Sequence, residues 1–133
     1  MKRIIAHVTL VVDDYDKAIE YFTTKLGFVL VEDTVLTTTK RWVLIAPSTS
    51  VESCILLAKA ANEKQKLSIG NQTGGRVAFF LYTNDFRRDF AIMSTNGVEF
   101  VREPKEEPYG TVAVFKDLYG NLWDLLEPVK KSL

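Results

Sequence analysis

The sequence predicts an α+β protein built from two tandem βαβββ modules, and three observations predict it. Residues 7–28 are echoed by residues 78–98: each stretch runs through an apolar strand, an acidic or amide helix start, an amphipathic helix and a glycine stop. Within each copy the apolar residues recur first at the two-residue spacing of a strand and then at the three-to-four spacing of a helix. Between the copies, residues 60–75 are polar and contain Gly70, Gly74 and Gly75, the composition of a joint. Two copies of such a half are expected to make a cleft between them.

The first strand covers residues 4–12, which alternate and are rich in Ile and Val. Asp13-Asp14 then supplies an N-cap and negative charge for a helix. Tyr15, Ala18, Ile19, Phe22 and Leu26 lie on one helical face, and Gly27 is placed to end that helix in a left-handed cap. Three strands are expected next, at about 28–37, 40–46 and 53–59, with Pro47-Ser48-Thr49-Ser50 turning between the last two. A short helical turn fits within 60–75. The second copy starts with a strand at 76–82, followed by Asn84-Asp85 and a helix directing Phe86, Phe90 and Met93 inward. Asn96-Gly97 stops it. Strands near 98–102, 111–117 and 121–127 complete the copy, with Leu118-Tyr119-Gly120-Asn121 as the final hairpin turn. The chain is read as one domain over 1–133, with module one at about 3–59, a linker at about 60–75 and module two at about 76–128.

Composition narrows the function classes. The 133 residues carry 17 basic and 17 acidic side chains, and no basic stripe marks a nucleic-acid footprint. The pairs Lys40-Arg41, Arg87-Arg88 and Lys130-Lys131 read as solvated surface. Cys54 is the single cysteine, so no internal disulfide framework exists; a reducing cytoplasm is expected, with Cys54 as a buried thiol in an apolar strand. The apolar start resembles a signal peptide for a few residues. It contains His7, ends at Asp13-Asp14 and lacks a cleavage site, so it reads as the first strand. No run is long enough to span a bilayer, and the Asn71-Gln72-Thr73 sequon reads as chance.

The segments His7-Val-Thr-Leu-Val-Val-Asp-Asp14, Lys25-Leu-Gly-Phe28, Gly97-Val-Glu-Phe100, Glu107-Pro-Tyr-Gly110 and Phe115-Lys-Asp-Leu-Tyr-Gly-Asn121 together resemble the vicinal oxygen chelate superfamily. That superfamily includes glyoxalase I, extradiol dioxygenases, fosfomycin-resistance proteins and bleomycin-resistance proteins. The resemblance covers about residues 3–128 and implies the curled-sheet cleft of that fold. In metal-dependent members four inward strand positions hold a divalent ion, usually as His, Glu, His, Glu, and dioxygenases use a His, His, Glu subset for iron. Imidazole and carboxylate suit such ions while leaving positions open for two substrate oxygens.

Carried over residue by residue, the first ligand falls on His7, which matches. The second falls near Ile55 in a run without a carboxylate; Glu52 is close but needs a register shift. The third falls on Ala78, which cannot coordinate. The fourth falls on Asp124, a carboxylate one methylene shorter than the family glutamate. No resident metal or other cofactor is therefore expected; if a divalent ion is held, His7 and Asp124 hold it.

Strand parity puts His7, Thr9 and Val11 on the cleft face and Val8, Leu10 and Val12 on the helix-packed face. In the second copy it sends Val77, Phe79 and Leu81 to the helix, and Arg76, Ala78, Phe80 and Tyr82 to the cleft. Asp124 faces inward with Leu122 and Leu126, while Trp123 packs as core. His7 and Asp124 are thus candidate catalytic residues, an oriented acid–base pair, with a structural hydrogen-bonded histidine as the alternative. Trp42, Arg76, Phe80, Tyr82 and Tyr109 are the candidate ligand-binding residues, an aromatic pocket with a cationic rim and Tyr109 at its lip. Two functions stay open. One is a bleomycin-resistance-type protein that binds an apolar or aromatic small molecule without chemistry. The other is an enzyme, either a metal-dependent lyase or dioxygenase with a degenerate site or a metal-free acid–base catalyst. The resemblance also implies a homodimer.

Overall fold

The computed structural model describes residues 1–49 and 51–129. Ser50 of the expected Pro47–Ser50 turn and the Lys130-Lys131 pair lie outside the described residues. The chain divides into two compact units, Met1–Gln72 and Thr73–Leu133.

In the first unit, β1 (His7–Val12) leads to α1 (Tyr15–Glu20), followed by β2 (Val29–Val35), β3 (Arg41–Ala46) and β4 (Cys54–Lys59). The strands form one sheet in the order β1-β4-β3-β2, with β1 parallel to β4 and the other neighbours antiparallel. Asp14 caps α1 by accepting the Lys17 amide hydrogen at 2.8 Å. The expected helix over residues 15–26 is broken into two forms. After Glu20 the chain widens into a π-helical turn, Tyr21–Lys25, and Leu26 lies beyond it. The Thr23 and Thr24 hydroxyls donate to the carbonyls of Ile19 and Glu20 in this stretch, which competes with regular α-helical pairing. Gly27 then reverses the chain at φ +70°, a conformation that any side chain would strain. The core lies between this helical segment and one face of the sheet, where Leu10, Val12, Val43, Ile45 and Leu57 are buried with Ala18, Phe22 and Phe28.

Residues 60–72 contain the short helical turn expected there. They form α2 (Glu63–Ser68), capped by Asn62, and end in Gln72, whose side-chain amide sits on the outer edge of β1. Its Nε2 donates to the Thr9 carbonyl at 2.6 Å, and its Oε1 accepts from the Val11 amide at 2.9 Å. An edge strand offers unpaired donors and acceptors, and here one amide fills two of them.

The second unit contains β5 (Val77–Tyr82), α3 (Phe86–Thr95), β6 (Glu99–Glu107), β7 (Gly110–Lys116) and β8 (Leu122–Pro128). Its sheet order, β5-β8-β7-β6, repeats that of the first unit, again with one parallel pair. Strand β6 is longer than the expected 98–102 and contains Pro104. It is an edge strand, where a missing amide hydrogen is tolerated, and its register against β7 shifts after Phe100 and again after Arg102. Asp85 caps α3 by accepting from the Arg88 amide, and the Glu127 side chain on β8 accepts from the Phe86 amide at 2.7 Å. Phe90 packs on Phe100, which meets Phe115, which stacks on Trp123. Trp123 is core, as parity predicts.

The final hairpin is organised by one buried carboxylate. Asp117 accepts from the amides of Tyr119 and Asn121, from Asn121 Nδ2, and from Trp123 Nε1 at 3.0 Å. Both carboxyl oxygens have donors, so this buried group leaves no polar atom orphaned.

Candidate functional site

Register determines which side chains share a face. In the first unit His7 pairs with Cys54 and Thr9 with Leu56, while Leu44 on β3 also pairs with Leu56. Side chains in register point the same way. The face opposite the helix therefore carries His7, Thr9 and Val11, with Cys54, Leu56, Leu44 and Ala46 beside them. Leu44, Ala46 and Cys54 form an apolar cluster against which Trp42 and Leu56 pack. Trp42 meets the His7 ring edge-on, with centroids 5.9 Å apart. Two of the sequence-predicted residues are thus brought together, on an apolar floor.

This register corrects the placement of the second metal position. Ile55 pairs with Val8 and Ile45, on the face that carries the buried Leu57 and Leu10, so it does not share a face with His7. The residues that do are Cys54 and Leu56. The correction leaves the position without a carboxylate. Among the described residues of either unit, no three His, Cys, Asp or Glu side chains come together as a metal-holding group. The donor set does not fit the four-ligand centre that the resemblance implied.

Beside Trp42 the first unit opens a cavity of about 610 Å³. Thr9, Trp42, Leu56 and Ala58 line it from the sheet, Tyr15 from α1, and Lys59, Ala60, Ala61 and Gln65 from the approach to α2 and α2 itself. Lys40 and Arg41 complete it from the β2–β3 hairpin. Arg41 is held firmly: its guanidinium pairs with Asp33 at 2.6 Å and Asp16 at 2.9 Å and lies over the Tyr15 ring. The hydrogen bond from Arg41 lowers the Asp33 pKa below its ordinary value. Lys40 is exposed, as the sequence implies, and Arg41 half-buried, and both also border this cavity. Only the hairpin geometry shows it, because nothing local to the pair distinguishes a cavity rim from open surface.

In the second unit Phe80 and Val114 both pair with Asp124, so these three share a face, with Tyr82 and Leu126 in the next row. Phe79 and Leu81 point the other way, Phe79 against Trp123 with ring centroids 4.4 Å apart. A register shift between Val77 and Phe79 interrupts the alternation at Ala78. Simple parity therefore does not extend back to Arg76, which is exposed just before β5 and cannot be assigned to the face of Phe80 by counting. Phe80 and Tyr82 are 63% and 65% exposed, an open aromatic surface rather than an enclosed wall.

Asp124 and Tyr109 meet around a small cavity of about 240 Å³ that also takes in Arg102, Glu103, Lys105, Glu107 and Val112–Val114. Burial raises the Asp124 pKa above its ordinary value, and the charge of Arg102 acts in the opposite sense. Arg102 escaped the sequence reading because two register shifts in β6 separate its position from any simple count. His7 belongs to the first unit and Asp124 to the second. Each is supported by its own sheet, Asp124 through a strand whose start is pinned by Asp117.

The model of the Glyoxalase/Bleomycin resistance protein/Dioxygenase superfamily matches residues 4–125. An uncharacterized protein of Shewanella frigidimarina (strain NCIMB 400) is 54% identical over 128 residues, 96% of this chain and 95% of that protein. The crystal structure of UcmS2 is similar with a TM-score of 0.82 at 30% identity, covering 95% of this chain and 98% of that one. TnmS3, an antibiotic binding protein from Streptomyces sp. CB03234, is similar with a TM-score of 0.77 at 25% identity, covering 96% and 98%. The chain belongs to the Glyoxalase/Bleomycin resistance protein/Dioxygenase superfamily.

Proposed function

We propose that this superfamily member binds an apolar or aromatic small molecule on the non-helical faces of its sheets and holds no resident metal ion. The observation that carries the reading is the surrounding of His7. Where a metal-dependent relative needs further imidazole and carboxylate groups, the same face offers Cys54, Leu44, Ala46, Leu56 and Trp42. Such a floor favours apolar ligand surface, and the neighbouring cavity has the size of a drug-like molecule. The similarity to an antibiotic binding protein supports the same reading. His7 and Trp42 on the face of the first unit, and Arg76, Phe80, Tyr82, Tyr109 and Asp124 in the second unit, are the residues proposed for ligand contact, each unit considered by itself. A cytoplasmic homodimer is the state in which we propose it works. Among the described residues no helix is long and apolar enough to cross a membrane.

A thermal-shift screen with antibiotics, catechols, thiol adducts and divalent metals, combined with elemental analysis, tests the reading. Binding linkage predicts a rise in melting temperature of several degrees with an aromatic compound in metal-free protein. Stoichiometric iron, nickel, manganese or zinc in the purified protein, with no response to organic ligands, overturns it.

A second reading, metal-free acid–base chemistry, draws support from one observation on the second unit: burial raises the pKa of Asp124. On that reading Asp124→Asn abolishes turnover while ligand affinity persists.

A further inference from the structure

We infer that the cavity of the first unit selects an organic anion, a flat aromatic or apolar body carrying a carboxylate, sulfonate or phosphate group. The inference rests on the small-molecule reading above and adds the charge of the ligand to it.

The argument starts from the strands. Antiparallel pairing brings the beginning of β3 beside the end of β4. Lys40, immediately before β3, and Lys59, the last residue of β4, therefore reach the same end of the sheet. Their backbones are fixed there. The Lys40 carbonyl accepts from the amides of Leu36 and Thr37, and its own amide donates to Thr37 Oγ1 at 3.0 Å. Lys59 pairs with Val12, and the following amide, that of Ala60, donates to the Val12 carbonyl.

Three cationic side chains line this cavity, and no aspartate or glutamate does. They are not equivalent. Arg41 is engaged by two carboxylates, Asp33 and Asp16, a triad with one net negative charge, so it offers no free cation to a ligand. Neither the Lys40 nor the Lys59 ammonium has a carboxylate partner among the described residues. Two uncompensated charges thus stand at the rim of a cavity floored by Trp42, Leu56 and Ala58. An apolar floor takes the body of a ligand, and low-dielectric walls strengthen the field that meets its anionic group. Lysine presents a compact charge without a fixed fork, so it suits any oxyanion rather than one planar carboxylate. The cavities of the second unit differ in kind, since Asp85, Glu106 and Glu127 line one and Glu103, Glu107 and Asp124 another, each alongside basic residues. A third is lined by Glu106, Glu107 and Glu127 with no basic residue, so none of these three has the purely cationic rim of the first unit's cavity.

The test uses two probes with nearly the same ring system, 8-anilinonaphthalene-1-sulfonate and the neutral N-phenyl-1-naphthylamine, titrated fluorimetrically into the full chain. The wild-type protein is expected to bind the sulfonate more tightly. The Lys40→Gln/Lys59→Gln double variant should weaken it by about tenfold at low salt and leave the neutral amine within about twofold, as two partly exposed charge contacts imply. Trp42→Ala should weaken both probes. Independently of any variant, raising salt should weaken the sulfonate alone, through screening. Equal sulfonate binding by wild type and double variant, or affinity indifferent to salt, overturns the anion inference and leaves the small-molecule reading standing. If neither probe binds, or Trp42→Ala changes neither, this cavity is not a ligand site and both fall.

Discussion

The two units share one backbone plan and line it with different side chains. Both place the first strand parallel to the last, with the third and second strands following in the same order. Both cap their helix with an aspartate, Asp14 or Asp85, and stop the helical segment near a positive-φ glycine, Gly27 or Gly97. The faces left free by the helices then diverge. In the first unit that face is apolar around a lone imidazole. In the second, the position in register with an exposed phenylalanine is a half-buried carboxylate, Asp124. The difference shows that a duplicated scaffold fixes directions for side chains, while substitution at a few inward positions decides what they can do.

Support is unequal as well. The second unit's last hairpin depends on Asp117, whereas the first unit's most specific polar link is the Gln72 amide on the β1 edge. Asp117→Ala should therefore have the largest effect on stability. It removes the carboxylate that accepts from the buried indole and amide donors, a loss of about 3 kcal/mol in urea unfolding. Hydrogen exchange should accelerate first in β7 and β8. Uniform acceleration across both sheets would show instead that the units unfold as one and that the comparison describes chemistry only.

Gln72→Ala should cost less, about 1–2 kcal/mol, since it removes two hydrogen bonds at an exposed edge where water replaces them. Faster exchange of the Val11 amide, with β5 unchanged, is the expected signature.

The smallest effect concerns Asp124. Its pKa in the fold is raised above the ordinary 3.8, chiefly by burial, so the folded state binds the proton more readily than the unfolded chain does. Stability then falls as pH rises from 3.8 through the folded-state value, and the loss persists at neutral pH. Asp124→Asn should remove that loss and raise the melting temperature slightly at pH 7, with little change at acid pH. A lower melting temperature at pH 7 would mean that attraction to Arg102 outweighs burial.

Much of the architecture was legible because it is written in local pattern. Alternation marks β1. Asp14 and Asp85 announce helix starts, and Gly27 and Gly97 supply stops that few other residues allow. The burial of Trp123 follows from parity alone. Counting failed where the chain departs from regular periodicity: at the π-helical turn beside Thr23 and Thr24, at Ala78, and along β6, where shifts hide Arg102. The site was legible in part. His7 and Trp42 were chosen for their types, and the fold brings their rings together. Lys40 and Lys59 carried no local signal, being separated by the hairpin that makes them neighbours.

Sequence alone thus determined the duplicated βαβββ plan, the single histidine and single cysteine, and the identity of the imidazole and aromatic groups. These follow from periodicity and residue chemistry, which act over a few positions. Tertiary structure decided which strands pair and in what register, that Ile55 turns away from His7, and that two lysines border one apolar cavity. Those relations arise from hydrogen bonding between segments distant in the chain, and no pattern confined to one segment encodes them.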